Sequence, residues 1–388
     1  MNFKKKLKIL MVLQTPWGTD LGMSRVHFEL KKAYEALGHQ VDYIDEKKLY
    51  PKGKSFFSEL FGKSIQLRIL DYLKENAKNY DVIDANQRCI PFHKSDYNFK
   101  GIVLFRSHGL SPLYIIAVNQ SYYKKLESTR ISVKKKKTFI NILGDIKRFL
   151  IRPEGEWVLW SSIQNADIVH CLNLTEYRYL LDYGVSQQKL IYIPNGIGSY
   201  YLEQAEKKLN EKLSKSKVTF LGSWTFNKGI AHLPSILNSL PEVYSMQLLG
   251  TGNSIDNIKK IFDSSKLNRL EIHTHFSEDQ EIELLKHTKL GIFPSYVEGF
   301  GLAIVEMLAL GIPVIAYNVP GPFEILTEID SRLLVPVGNE KLFIERISEI
   351  LSLSSTEFDI LSEKCRNRAE FFDYKFISEE FIRNFNFK

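Results

Sequence analysis

Two doubly wound α/β domains are what this sequence predicts, and three observations predict them. Short β-branched runs alternate with amphipathic stretches along the chain, the pattern of strand–helix–strand units and a parallel sheet. The alternation stops at a polar, lysine-rich stretch, Glu203–Lys217, and then restarts. The length of 388 residues suits two domains of about 150–200 residues each.

The first unit opens with a strand, Leu7–Leu13, and a Gly/Pro/Asp loop. A helix follows from about Ser24 to Leu37, with Val26, Leu30, Ala33 or Tyr34, and Leu37 on its apolar face. Gly38 ends it at the C′ position, and Val41–Ile44 is the next strand. Further strands read at Val82–Ala85, Ile102–Phe105, Asp167–Cys171 and Leu190–Ile193, which makes a Rossmann-like half closed by Pro194-Asn195-Gly196. In the second half the strands are Val218–Leu221, Met246–Leu249, Leu270–His273, Leu290–Phe293 and Pro313–Tyr317. A helix lies near Ile230–Leu240, and a last one, about Phe376–Asn386, has no strand after it.

Composition excludes several classes. Hydrophobic residues are 44% and charged residues 25%, while 22 glycines and 13 prolines are too few for a fibrous or low-complexity chain. No apolar run reaches the ~18 residues of a spanning helix. The basic start leads into a strand rather than a secretory signal. Three distant cysteines, Cys89, Cys171 and Cys365, argue against a disulfide framework or a zinc cluster and suit a reducing cytoplasm.

The net charge of +7 is concentrated between Ser121 and Arg152, where ten basic residues face two acidic ones. Phe139, Leu143, Ile146 and Leu150 are interleaved there at helical spacing. The segment reads either as a basic amphipathic helix for an anionic membrane surface, over 124–152, or as a solvated loop before a core-facing helix. Nucleic acid is a weaker partner because no DNA- or RNA-binding signature occurs.

The densest chemical signal runs from Phe293 to Glu306, Phe-Pro-Ser-Tyr-Val-Glu-Gly-Phe-Gly-Leu-Ala-Ile-Val-Glu. A strand ends in Pro-Ser, a Gly-rich turn follows, and a helix begins near Gly301. Gly299 and Gly301 let backbone approach a ligand, and the helix N-terminus suits a diphosphate. Glu298 before the helix and Glu306 about five residues into it can each hold a diol. As an isolated pair they read first as a dipole-capping carboxylate and a solvent-facing glutamate.

In its full context this segment resembles the retaining family 4 glycosyltransferases, which have the GT-B fold. Leu310-Gly311-Ile312-Pro313-Val314-Ile315-Ala316 and Gly321-Pro322-Phe323-Glu324 match the stretches after it, with Pro322 in place of the second glycine. Phe220-Leu221-Gly222 with Lys228-Gly229-Ile230 matches the phosphate-binding element, and Gly250-Thr251-Gly252 another glycine turn. Ile191–Ile197 and Gly38–Val41 match in the first half. The resemblance implies two Rossmann-like domains facing across a cleft, with the final helix crossing back to the first. Residues 1–198, plus about 374–388, would bind the acceptor, and 199–373 would bind the nucleotide-sugar donor.

Roles follow from the same resemblance. Lys228 would neutralise the leaving diphosphate, Glu298 would hold hydroxyls of the transferred sugar, and Glu306 the ribose. Gly222 and the backbone of Phe300, Gly301 and Leu302 would meet the phosphates or sugar. Gly22 sits where the first glycine-rich loop approaches the donor. His108, in Arg106-Ser107-His108-Gly109, falls where the family places a histidine near the sugar. Where the family has an arginine after Gly222 this chain has Ser223 and Trp224; Arg25 and Arg106 are candidate replacements, and Trp224 reads as a packing residue.

The implied activity is a retaining, metal-independent hexosyl transfer from a UDP- or GDP-sugar to a glycan or lipid-linked acceptor, in polysaccharide or glycolipid assembly. No protein nucleophile and no cofactor are expected. No Asp-x-Asp motif occurs, which agrees with fixed charge in place of a metal. The location expected is cytoplasmic, peripheral on the inner face of the membrane. Alternatives are a GT-B sugar-nucleotide epimerase or phosphorylase, and a non-catalytic glycan- or nucleic-acid-binding protein. A nicotinamide dehydrogenase is weakest, since neither half has Gly-x-Gly-x-x-Gly after its first strand.

Overall fold

The computed structural model describes residues 6–18, 22–51, 53, 63–113, 156–199, 201–203 and 216–386. The basic segment 124–152 lies outside them, as does most of Glu203–Lys217. The chain forms two compact units, and the division falls after Pro194. Among described residues the first unit holds 6–18, 22–51, 53, 63–108, 156–194 and 377–386.

The first unit is a parallel sheet of β1 (Lys8–Val12), β2 (Gln40–Ile44), β3 (Val82–Asn86), β4 (Ile102–Arg106), β5 (Ile168–Cys171) and β6 (Leu190–Tyr192) in the order β2-β1-β3-β4-β5-β6. β3 and β5 are buried along their whole length, including Asp84, Asn86 and His170, which interrupt their apolar runs. The helix Gly22–Ala36 buries Val26, Leu30 and Tyr34, so Tyr34 rather than Ala33 continues the apolar face. It ends in a Schellman turn. The His39 N–H donates to the Tyr34 carbonyl at 3.1 Å and the Gly38 N–H to that of Glu35 at 2.9 Å, with Gly38 at φ +89°.

The second unit is a parallel sheet of β7 (Lys217–Leu221), β8 (Ser245–Leu249), β9 (Leu270–His273), β10 (Thr288–Phe293), β11 (Val314–Tyr317) and β12 (Leu334–Val335). Its order is β12-β11-β10-β7-β8-β9, the Rossmann order when counted from β7. The two-residue β12 is too short for a period to show, and the sequence does not reveal it. The core runs between the sheet and the helices Leu233–Ser239, Leu302–Ala309 and Glu340–Leu351.

The last helix, Tyr374–Asn386, starts in the second unit and lies in the first from Ile377 onward. Phe381 is buried and stands edge-on to His170, 5.1 Å between ring centres. It also covers the Arg106 guanidinium at 4.2 Å, and Phe385 meets Tyr34. No disulfide joins the three cysteines, all of which are buried. Among the described residues no helix is long and apolar enough to cross a membrane.

Candidate active site

In a doubly wound sheet, ligands sit beyond the carboxyl ends of the strands where the order reverses. In the second unit that point lies between β7 and β10, the two strands followed by the glycine-rich segments. The chain leaves β7 through Gly222, whose N–H donates to the Leu249 carbonyl at 2.9 Å. The Trp224 N–H donates to the Thr251 carbonyl at 2.8 Å, and the Trp224 ring packs on the core. A short 3-10 turn, Phe226–Lys228, then ends at Gly229 with φ +73°.

Gly229 is required twice over. Its φ lies in the left-handed region, and a Cβ there would stand 1.9 Å from the Pro294 carbonyl oxygen. The Tyr296 N–H donates to the Asn227 carbonyl at 2.9 Å. These contacts fix the loop after β7 against the turn after β10, and they bring Lys228 to Glu298. The Lys228 ammonium donates to the Glu298 carboxylate, with both side chains about four-fifths buried. Nζ also stands 5.3 Å from the centre of the Phe293 ring.

Past Glu298 the chain passes Gly301 at φ +106° and enters the helix Leu302–Ala309. No side chain caps that helix at Gly301; the Ile304 N–H donates to the Gly301 carbonyl at 2.9 Å, and a helix start without a side-chain cap suits an anion. Glu306 is the fifth helical residue and is buried, not solvent-facing. Gly321 lies against the Phe300 backbone, where a Cβ would come within 2.1 Å of its carbonyl oxygen. That contact accounts for the glycine of Gly-Pro-Phe-Glu, and Pro322 beside it is buried. Ser295 and Thr251, after β10 and β8, carry buried hydroxyls with no hydrogen-bond partner among the described residues. Buried hydroxyls of this kind usually meet a ligand or water.

A second polar cluster fixes the turn from behind. His232 is buried, with Nε2 2.5 Å from the Tyr296 hydroxyl and 3.2 Å from that of Tyr317, and Nδ1 bonded to Glu340. Nothing in the sequence links these four residues. His232 reads there as one more position near a helix start.

His108 lies two residues past β4 in the first unit, and Gly22 is the first residue of its first helix. The structure places His27 beside His108, 5.1 Å between ring centres. The His27 ring bonds through Nδ1 to the Met23 carbonyl, which can only accept, so Nδ1 carries the proton. Burial, first of all, lowers the His27 pKa to about 4 and holds His108 well below the ordinary range; the His27 and Arg106 charges add to the effect on His108. His27 was legible in principle, because it shares the helical face of Leu30 and Tyr34 at i, i+3, i+7 spacing.

Arg106 is corrected as a phosphate ligand. Its guanidinium is fully buried and forked onto Asp84, Nε–Oδ1 2.8 Å and Nη2–Oδ2 2.6 Å, so its charge is committed inside the first unit. Arg25 stays partly exposed on the first turn of the first helix.

Residues 203–370 match the family described as glycosyl transferases group 1. A capsular polysaccharide biosynthesis glycosyltransferase of Staphylococcus aureus, CapM, is 28% identical over 187 residues, 45% of this chain and 48% of that protein. The chain spans about half or less of the first curated relatives it matches. Among solved structures, sucrose-phosphate synthase of Thermosynechococcus elongatus superposes with a TM-score of 0.69 at 18% identity, covering 98% of both chains. HepE of Anabaena, solved with UDP-glucose, gives a TM-score of 0.65 at 15% identity over 98% of this chain and 100% of that one. The fold is therefore GT-B.

Proposed function

We propose, from the premise that residues 203–370 are a group 1 glycosyl transferase domain, that this protein transfers a hexose from a nucleotide sugar to a glycan or lipid-linked acceptor. One observation carries the reading. The loops after β7 and β10 bring Lys228, Glu298 and an uncapped helix N-terminus together at the switch point of the second sheet. A cation and a row of N–H groups suit a diphosphate, and the carboxylate beside them suits sugar hydroxyls.

In this reading the diphosphate lies against Lys228, Gly222 and the helix start at Gly301 and Leu302. Glu298 accepts hydrogen bonds from the transferred sugar and Glu306 from the ribose. The first unit supplies the acceptor site and His108. The acceptor oxygen bonds to the anomeric carbon on the face the diphosphate leaves, the C–O bond to phosphate breaks, and the hydroxyl proton goes to the departing diphosphate. The anomeric configuration is retained, with no covalent sugar adduct, and fixed charge takes the place of a metal. HepE's complexes with UDP and UDP-glucose make UDP-sugars the first donors to try. CapM's role supports polysaccharide assembly as the setting. A cytoplasmic protein peripheral to the inner face of the membrane fits that setting, with 124–152 as the contact.

The test is a thermal-shift panel of UDP- and GDP-sugars with chelator present. A donor at ~100 times its dissociation constant adds about 2.7 kcal/mol to stability. A shift with one nucleotide class that Lys228→Ala abolishes is the expected result. No shift with any donor, or a shift that survives the mutation, refutes the donor site. Phosphate-dependent turnover, or nucleotide release without sugar transfer, points to the phosphorylase or epimerase alternative. Flotation with anionic liposomes tests the membrane contact, and absence of binding at low salt refutes it.

A further inference from the structure

Lys228 and Glu298 stand 70 residues apart in sequence, yet they are bonded to each other in this structure. Their two segments are locked in register by the Tyr296–Asn227 bond and by the Gly229–Pro294 contact. Their side chains are 21% and 17% exposed, so the pair is shielded from most of the water that weakens a surface ion pair. Among the described residues, Glu298 is the hydrogen-bond partner of the Lys228 ammonium. A phosphate that takes Lys228 as counter-ion therefore has to displace a carboxylate already there.

We infer that Glu298 has a second role as an internal competitor for Lys228, which makes the site favour the nucleotide sugar over the nucleoside diphosphate left after transfer. The inference rests on the placement of diphosphate and sugar given above. When a nucleotide sugar binds, the sugar hydroxyls donate to the Glu298 carboxylate and draw it from the ammonium, and the diphosphate takes the released charge. After transfer the sugar is gone and the carboxylate has lost those donors. It returns to Lys228 and weakens the grip on the diphosphate. A carboxamide at this position has the same shape and still bonds to hydroxyls, but it lacks the charge to compete.

Isothermal titration of the full chain, with UDP, UDP-glucose, GDP and GDP-mannose as probes, tests this directly. In Glu298→Gln the nucleoside diphosphate is expected to bind about tenfold tighter than in wild type, the scale of one partly shielded charge pair. The nucleotide sugar is expected to bind no tighter, so the ratio of the two affinities falls. Glu298→Asp keeps the charge and should leave diphosphate affinity near wild type; thermal melts confirm that both variants fold. Lys228→Gln should weaken both ligands. Unchanged or weaker diphosphate binding in Glu298→Gln, with wild-type binding intact, overturns the competition and leaves the donor site standing. Failure of the wild type to bind any of the four overturns both.

Discussion

Buried histidines in the first unit set how this protein should respond to acid. His27 is held neutral down to about pH 4 and His170 to about pH 3, in each case chiefly because burial penalises the charged imidazole. The neighbouring Arg106 guanidinium adds to the effect, while Asp84 opposes it. Above pH 6.5 both the folded and unfolded forms are neutral, so these groups are silent. Below 6.5 the unfolded chain takes up protons that the folded chain refuses, and stability falls until the folded pKa is reached. The cost is then on the order of 3 kcal/mol for His27 and on the order of 5 kcal/mol for His170. Melts between pH 7 and pH 4 should show a steep loss of stability, and His27→Gln should flatten it. An unchanged slope in the variant would sink this account. The fork between Arg106 and Asp84 belongs to the same cluster, and Asp84→Ala should cost about 3–5 kcal/mol by leaving a buried cation unpaired. Denaturant titration checks it.

At the level of elements, the second-unit site depends on how closely two loops approach. Gly229→Ala places a Cβ within 1.9 Å of backbone that cannot move aside, at a φ of +73° that alanine resists. Stability should fall by more than about 2 kcal/mol, and donor binding should fall with it, because the loop carries Lys228. Gly222→Ala is the contrast: its Cβ would meet only the Phe220 ring, at 3.5 Å, so the melt should move by less than 1 kcal/mol. The His232 cluster braces the same turn from the far side. His232→Phe removes the partner of Tyr296, Tyr317 and Glu340 together, at a cost of about 2–3 kcal/mol. A melt unchanged by His232→Phe would show that the brace contributes nothing.

For the whole molecule, the strands were readable because parallel strands buried on both faces are rich in aliphatic residues, even where a buried polar residue such as Asp84 or His170 interrupts them. The candidate site was readable where glycine is forced, by backbone contact at Gly229 and Gly321 and by a φ of +106° at Gly301. Pairings made by tertiary packing left no such trace. His27 beside His108, His232 between two tyrosines and Arg106 on Asp84 each join residues distant in sequence, and no local period records them. The placing of Arg106 shows the limit well, since an arginine at a strand end looks alike whether it serves a ligand or a buried aspartate. Phe381, 1% exposed, caps that guanidinium, and Phe381→Ala should cost about 3–5 kcal/mol, measured by denaturant unfolding of the full chain.

That cap also imposes an order of events on the ribosome. Arg106 and Asp84 emerge early, but Phe381 is translated only after all of 195–376. The second unit can complete its core while the first still waits for its final wall. At ~5–20 residues per second, the roughly 190 residues between Pro194 and Phe381 take on the order of ten seconds or more. Throughout that interval the nascent first unit carries an uncovered apolar seam and a half-sheltered ion pair, which makes it a natural client for chaperones during synthesis.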